Sequence, residues 1–243
     1  MSFLSEGIQA LQELLFPARC LACEEQLFSS RPPLLCDDCR SRVAQISAPR
    51  CTCCGASFPT GADRLCAVCQ NNAFAFDQAR SLFVYKEPLR SLILQFKFGN
   101  SLVGLSTFTA LAEQAGAAAF FHEPDLILPV PLHRKRLRWR GFNQSLLLAK
   151  SCFPHWKKKI RPDLLRRHRF TVPQTRLDGK ARLRNLHKAF RVEQHLAVQG
   201  KRILLVDDVF TTGSTLNECA KVLREAGAAR IEAFTLARGG AAE

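Results

Sequence analysis

Short apolar runs and segments with helical periodicity alternate along residues 73–243. Apolar runs of this length, bounded by turn-forming residues, are typical of strands that are buried on both faces of a parallel sheet. They predict strands at residues 79–85, 125–131, 203–206 and 231–236. Apolar residues at helical spacing predict helices at residues 86–96, 102–119, 145–152 and 216–223. This order predicts an α/β fold in which helices flank a parallel sheet.

The last two predicted strands and the helix between them form a βαβ unit. The segment that joins the first of these strands to the helix, residues 207–215, has the sequence DDVFTTGST. Because it follows the carboxyl end of a parallel strand, it lies where open α/β sheets bind their ligands. We therefore expect the functional site at this edge of the sheet.

The chemistry of residues 207–215 suits a sugar phosphate. Unpaired backbone N–H groups at the start of the helix can surround a phosphate, and Gly213 lets the main chain come close to it. Hydroxyl donors are supplied by Thr211, Thr212, Ser214 and Thr215. Asp207 and Asp208 would repel a bare phosphate, but they suit a ligand that also offers hydroxyl groups or that binds with Mg²⁺. The alternative is a capped loop with two surface carboxylates.

Eight of the eleven cysteines form four C-x-x-C pairs near the N-terminus. The pairs are Cys20 and Cys23, Cys36 and Cys39, Cys51 and Cys54, and Cys66 and Cys69. Two pairs supply four thiolates to one tetrahedral ion, so we expect two structural Zn²⁺ sites, with the pairs used in sequence or interleaved. Disulfides are the alternative in an oxidising compartment. Cys53 is a spare thiol, whereas Cys152 and Cys219 lie in helical patterns and are expected to be core residues.

A basic segment follows the predicted strand at residues 125–131. Its candidates for contacting nucleic-acid phosphates are Arg134, Lys135, Arg136 and Arg138. Residues 140–144 lead into the next helix over the same sheet edge as residues 207–215, so a loop there could neutralise a pyrophosphate. The alternative is a solvated basic face. Residues 155–169 are predicted to be a basic surface segment that could contact nucleic-acid phosphates, and residues 174–190 are predicted to be a mobile hood that excludes water from the site.

Composition and charge narrow the class of protein. The 243 residues carry a formal net charge of +14, which points to a polyanionic ligand or partner, and their 47% hydrophobic content supports a sizeable core. The sequence lacks an apolar run that could span a bilayer and a signal-peptide pattern, so a cytoplasmic location is expected.

Three regions are expected along the chain: an amphipathic helix at residues 1–17, a double zinc ribbon at 18–72 and an α/β domain at 73–243. The apolar face of the first helix carries Leu4, Ile8, Leu11 and Leu15. That face is expected to dock on the protein itself, with peripheral contact at the inner face of the membrane as the alternative.

Residues 207–215 resemble the 5-phosphoribosyl 1-pyrophosphate (PRPP) signature of type I phosphoribosyltransferases. The resemblance implies that Asp207 and Asp208 are the catalytic residues and hold the ribose 2′ and 3′ hydroxyls. It implies that the 5′-phosphate is bound by Thr211, Thr212, Gly213, Ser214 and Thr215. Mg²⁺ is the cofactor implied to accompany PRPP.

The whole chain resembles the ComF family, in which a double zinc ribbon precedes a phosphoribosyltransferase domain. The resemblance is carried by the cysteine pairs and by residues 96–98, 130–132, 140–144 and 206–215, and it extends through Gln174, Arg182, Arg184, Asn185 and Phe190. It implies that Lys97 and Arg140 bind PRPP and that residues 174–190 form the hood.

The ComF resemblance also implies a role in natural transformation or in the use of imported DNA. Its implied partners are PRPP, single-stranded DNA and the proteins of DNA uptake or translocation. Three functions fit: phosphoribosyl transfer on DNA or nucleotides, PRPP sensing by a nucleic-acid-binding regulator without transfer, and nucleobase salvage. The cysteine-rich head argues against salvage, because ordinary base-salvage transferases lack such a head.

Overall fold

The computed structural model describes residues 17–71, 74–98, 102–169 and 189–240. Residues 1–16 of the predicted N-terminal helix and residues 174–188 of the predicted hood lie outside these ranges. The strands are β1 (Gln78–Val84), β2 (Leu126–Pro129), β3 (Leu165–Arg167), β4 (Phe190–Val192), β5 (Arg202–Phe210) and β6 (Arg230–Arg238). The helices are α1 (Asp37–Ser41), α2 (Ala67–Asn71), α3 (Leu89–Phe98), α4 (Val103–Gln114), α5 (Arg134–Arg140), α6 (Gln144–Cys152), α7 (His195–Val198) and α8 (Ser214–Glu225).

Four of the strands form a parallel sheet in the order β1-β6-β5-β2. Each corresponds to a predicted strand, so the α/β fold class and the βαβ unit β5-α8-β6 are confirmed. The predicted boundary of β5 is wrong: the strand continues through both aspartates to Phe210, because its backbone stays paired with β6 as far as Arg238. The two carboxylates therefore belong to the strand, and the connecting loop is only residues 211–213.

Apolar side chains of β5 alternate between two cores on opposite faces of the sheet. Ile203 and Leu205 pack in the core that contains α8, whereas Leu204 and Val206 pack in the core that contains α3, α4 and α6. Burial on both faces explains why this strand is an uninterrupted apolar run rather than an alternating one. The carboxyl ends of β2 and β5 are thereby held side by side.

Two predictions for the basic segments need correction. Residues 134–140, expected to be a loop, form the short helix α5, whose first turn is capped by His133 Nδ1 accepting from Lys135 N at 3.2 Å. Residues 155–163 lie at the surface as expected, in and after a 3₁₀ turn (Pro154–Lys159), but Leu165–Arg167 form β3, which pairs antiparallel with β4. Burial of Leu164 and Leu165 stabilises β3. In the sequence this apolar pair is surrounded by charged residues, so it did not predict a strand.

The predicted helix at residues 102–119 is also divided. α4 ends at Gln114, and a 3₁₀ turn (Ala117–Phe120) follows. Gly116 adopts φ +66° between them, a left-handed conformation that ends an α-helix readily.

The cysteine-rich region covers the outer edge of β1. Ala79 N donates to Cys53 O at 2.7 Å, and Ile46 N donates to Leu82 O at 2.8 Å. Gly55 adopts φ +72°, and a Cβ at this position would lie 2.6 Å from Ala79 O. These hydrogen bonds pair backbone N–H and C=O groups of β1 that would otherwise be free to pair with another strand. Among the described residues, every helix lacks the length or the apolar character of a membrane span.

Candidate functional site

A cavity of about 750 Å³ opens at the carboxyl edge of the sheet, where β2 and β5 end. Its walls come from α3, α5, β3, β5 and the beginning of α8. The charged and polar lining residues include Lys97, Lys135, Arg136, Arg140, Gln144, Arg167, Asp207, Asp208, Thr211, Thr212, Ser214 and Thr215. The structure thus brings together at one edge all the residues implied to bind PRPP, from segments far apart in the sequence.

The two aspartates at the end of β5 occupy different environments. Asp207 Oδ1 accepts from Ser145 Oγ and from Asp208 N, both at 2.9 Å. Asp208 Oδ1 lies 2.8 Å from Lys97 Nζ in an ion pair. Asp208 is 4% exposed, and its Oδ2 has no hydrogen-bond partner among the described residues. A buried carboxylate oxygen without a partner is costly, so this atom calls for a donor from a ligand.

Burial and mutual repulsion perturb the charges of this group. Burial, followed by the neighbouring Asp208 carboxylate, raises the pKa of Asp207 to about 7. Burial also opposes the charged form of Lys97, but Asp208 and then Asp207 outweigh it, so the pKa of Lys97 is raised. The ammonium of Lys97 is therefore held charged beside the two acids.

The loop after β5 has the geometry of a phosphate-binding turn. Gly213 adopts φ +74°, and a Cβ there would lie 2.6 Å from Phe210 Cζ and 3.1 Å from Phe74 Cε1. Thr212 Oγ1 and Ser214 Oγ are 2.7 Å apart. α8 begins at Ser214, whose N–H donates to Thr212 Oγ1 at 3.4 Å, and the positive end of the helix dipole at this turn favours an anion. This arrangement requires glycine at position 213.

A cluster of arginines forms the opposite wall. Arg140 is 8% exposed, and its Nη1 donates to Gln144 Oε1 at 2.6 Å. Arg167 is 7% exposed. Burial lowers the pKa of both side chains, to about 10 for Arg167, where the neighbouring Arg136 is the second cause. Several buried guanidinium groups beside one cavity suit a ligand with several negative charges.

The four nucleic-acid candidates on α5 separate into two pairs. Lys135 and Arg136 line the cavity, whereas Arg134 and Arg138 are exposed and lie outside its lining. The first pair thus borders the space in which a ligand of the cavity would lie. The second pair is available to a longer polyanion on the surface of α5.

Sequence reasoning did not select Arg167, Ser145, Phe98 or Trp139 as site residues. Arg167 reaches the cavity because β3 alternates, with Leu165 and Arg167 facing inward and Arg166 outward. The signal was the short pattern of residues 164–167, which is apolar enough for a strand but is surrounded by basic residues. Ser145 is identified as a site residue only by its hydrogen bond to Asp207, and no local sequence pattern predicts that contact.

Two tetrahedral sets of cysteines lie in the N-terminal region. Cys20, Cys23, Cys36 and Cys39 form one set, and Cys51, Cys54, Cys66 and Cys69 form the other, with the sulfur atoms of each set within 4.8 Å of one another. The eight cysteines predicted as ligands thus lie in two groups of four, and the C-x-x-C pairs are grouped in sequence order rather than interleaved. Four thiolates at these separations fit structural Zn²⁺ and leave no position for a substrate.

The immediate surroundings of the two cysteine sets are similar. Arg42 Nη2 donates to Cys39 Sγ at 3.4 Å in the first set, and Arg238 Nη2 donates to Cys54 Sγ at 3.4 Å in the second. Such hydrogen bonds orient thiolate ligands and partly neutralise their charge. Cys53 lies outside both sets.

The two remaining cysteines are buried core residues, as expected. Burial raises the pKa of Cys152 to about 12 and that of Cys219 well above its usual value. Both thiols are therefore uncharged near neutral pH and pack as small apolar side chains.

Arg238 also connects the second cysteine set to the cavity. Its Nη1 donates to Cys54 O at 2.9 Å, and its guanidinium lies 4.3 Å from the centre of the Phe210 ring. Phe210 is the residue against which Gly213 packs. One side chain thus contacts both Cys54 and the aromatic ring against which the turn at Gly213 packs.

Comparisons with known proteins agree with both regions. A double zinc ribbon domain model matches residues 11–70, and a phosphoribosyl transferase domain model matches residues 176–243. Competence protein F from Haemophilus influenzae is 34% identical over 92% of this chain and 98% of its own length. DNA utilization protein YhgH from Escherichia coli is 34% identical over 93% and 99%, and Competence protein ComFC from Bacillus subtilis is 28% identical over 90% and 94%.

Proposed function

This chain belongs to the ComF family of competence and DNA utilization proteins, and from this premise we propose that it binds PRPP together with Mg²⁺ and acts on single-stranded DNA or its nucleotides. The family names concern competence and DNA use, which support a role in the uptake or use of imported DNA. The phosphoribosyltransferase domain supports PRPP as the small-molecule ligand.

The observation that carries the proposal is the grouping of three matching subsites in one cavity. The buried Oδ2 of Asp208, which accepts no hydrogen bond from any described residue, suits a ribose hydroxyl. The hydroxyl-rich turn at residues 211–215 suits the 5′-phosphate, and the wall containing Arg136, Arg140 and Arg167 suits the pyrophosphate. A phosphorylated ribose with a pyrophosphate group satisfies all three at once.

Mg²⁺ fits this set of donors. Carboxylate and phosphate oxygens are its preferred ligands, and the Asp208 carboxylate at the ribose position is the protein group that would hold it. When bound, Mg²⁺ would neutralise the pyrophosphate charge that develops on departure. The protein's own residues would position the sugar and hold the leaving group.

Transfer would break the bond between ribose C1 and the pyrophosphate oxygen while the acceptor forms a new bond to C1. The bonding electrons leave with pyrophosphate, and the acceptor gives up its proton to solvent. Asp207 and Asp208 would stabilise the positive charge on the ribose ring, and the arginine wall would stabilise the departing pyrophosphate.

Calorimetric titration tests the PRPP site. PRPP with Mg²⁺ should bind to the wild-type protein, and ribose 5-phosphate and pyrophosphate should each bind more weakly because each fills only part of the cavity. Asp208→Asn should weaken PRPP binding at least tenfold, since a carboxylate acceptor is lost from a buried site. Asp125→Asn is the matched control, because Asp125 pairs with Arg202 at the opposite edge of the sheet. Equal losses in both variants, or no PRPP binding to the wild type, would contradict the proposal.

The Lys97–Asp208 ion pair favours a second candidate, PRPP sensing without transfer. A ligand hydroxyl that donates to Asp208 Oδ2 would act on the same carboxylate that pairs through Oδ1 with Lys97, which lies in the last turn of α3. Pyrophosphate release in the presence of oligonucleotides or free bases supports transfer. A change in DNA affinity on adding PRPP, without pyrophosphate release, supports sensing.

A further inference from the structure

Two exposed aromatic side chains stand at the mouth of the cavity. Trp139 is 66% exposed and Phe98 is 51% exposed, and both line the cavity. Their ring centres are 6.2 Å apart, with an angle of 56° between the planes. Large aromatic side chains left in water beside a polar cavity cost free energy unless a ligand covers them.

The positions of both rings are set by residues of the PRPP site. Phe98 directly follows Lys97, which pairs with Asp208, and its ring lies 5.3 Å from the Arg140 guanidinium. Trp139 directly precedes Arg140, which is itself fixed by Gln144. The platform formed by Phe98 and Trp139, here called the aromatic platform, is therefore held next to the ribose and pyrophosphate positions.

Cations surround the aromatic platform and extend beyond it. Lys135 and Arg136 lie on the cavity side of α5, and Arg134 and Arg138 lie on its exposed side. Residues 132–144 contain no acidic residue. A free nucleobase would contact only the two aromatic rings. Cations outside the cavity suit a nucleic-acid strand whose phosphates continue beyond it.

We infer that the aromatic platform stacks a base of single-stranded DNA, with the flanking phosphates on α5. The inference deepens the proposed function and rests on it, because it places the strand beside the phosphoribose cavity. Stacking on exposed rings is tolerant of sequence, since every base has a π face. The site therefore recognises single-stranded character rather than a particular sequence.

Fluorescence gives a direct test, since the chain has two tryptophans. Trp156 is stacked on Phe153 outside the cavity lining, so Trp156→Phe leaves Trp139 as the reporter. A thymidylate strand of about ten nucleotides should quench Trp139 at saturation, because a base covers the ring. A strand of equal length and charge without bases should bind through its phosphates and leave the fluorescence unchanged.

Affinity measurements on a labelled strand complete the test. Trp139→Ala and Phe98→Ala should each weaken binding of the thymidylate strand about five- to a hundredfold, the range for one lost stacking contact. Phe28→Ala is the matched control, because Phe28 is an exposed aromatic residue of the zinc ribbon region outside the cavity lining. It should leave the affinity unchanged.

Three results would overturn the inference: equal affinity of all three alanine variants, equal quenching by the strand without bases, or quenching by thymidine but not by the strand. The PRPP titration of the wild-type protein is a separate readout. Normal quenching without PRPP binding would keep the aromatic platform and remove the PRPP proposal.

Discussion

At the scale of single residues, the properties of the site arise from the position of two acids at the end of a buried strand. Asp207 and Asp208 follow four apolar residues, so the strand that packs the core also carries both carboxylates into the cavity. The sequence predicted these acids and the following turn, because both lie in one contiguous segment. It could not predict that Ser145 and Lys97 would be their partners, since those contacts depend on tertiary packing.

The raised pKa of Asp207 gives a pH prediction. Its folded-state pKa is about 7, against an ordinary value of 3.8, so the folded protein retains a proton that the unfolded chain releases between these values. This contribution to stability is therefore present at low pH and is lost as pH rises towards 7. Between pH 5 and 8, we expect the wild-type protein to lose on the order of 2 kcal/mol of unfolding free energy from this group.

Denaturant unfolding across this pH range, at constant Zn²⁺, tests the assignment. Asp207→Asn should remove the decline. Asp125→Asn should keep it, because Arg202 lowers the pKa of Asp125 to about 2 and that group stays ionised throughout the range. An identical decline in wild type and Asp207→Asn would assign the effect to other groups.

Gly213 provides a steric prediction. Gly213→Ala introduces a Cβ 2.6 Å from Phe210 Cζ and strains a left-handed backbone, so residues 211–215 must shift. We expect PRPP affinity, measured by calorimetry, to fall more than tenfold. Gly200→Ala is the control, because Gly200 also has positive φ but an added Cβ meets nothing within 4 Å. Equal PRPP affinities of the two variants would show that the turn is not the phosphate site.

At the scale of secondary-structure elements, the sequence predicts best what is locally periodic. The four sheet strands and α8 have clear apolar patterns, and each was predicted in its segment of the chain, although the end of β5 was not. α5 and β3 were missed because charged residues dominate their sequences, and their apolar contacts come from elements distant in the chain. Because β3 was missed, Arg167 was predicted only as part of a basic surface segment and not as part of the cavity wall.

Arg238, the last residue of β6, gives a prediction that joins the two regions. Arg238→Ala removes its hydrogen bonds to Cys54 and its contact with the Phe210 ring, so Phe210 and the Gly213 turn lose a support. We expect about a tenfold loss of PRPP affinity, on the order of 1–2 kcal/mol. Removing Zn²⁺ from the second cysteine set by chelation should have the same effect on PRPP affinity.

The first ribbon offers a matched control. Arg42→Ala removes an equivalent hydrogen bond to Cys39 Sγ, and Arg42 lies outside the cavity lining. It should leave PRPP affinity unchanged. If both arginine variants bind PRPP like the wild type while zinc content stays at two ions per chain, the cysteine region acts only as a structural head.

At the scale of the whole molecule, the zinc ribbons and the α/β domain share an edge of the sheet. The hydrogen bonds of β1 to residues 44–46 and 53 make the cysteine region part of the same packed body. The sequence predicted both regions and their order, because C-x-x-C spacing and apolar periodicity are local signals. It did not predict their contact, since no local sequence pattern shows which segment pairs with the edge of a strand.

The central claim of this account is that the cavity beside β5 holds a phosphoribose. A crystal structure of the full chain grown with PRPP and MgCl₂ tests it most directly. We predict the 5′-phosphate on the N–H and hydroxyl groups of residues 211–215, the ribose hydroxyls against Asp207 and Asp208, and the pyrophosphate beside Arg140 and Arg167. PRPP bound elsewhere, or a cavity without it at saturating ligand, would contradict the account.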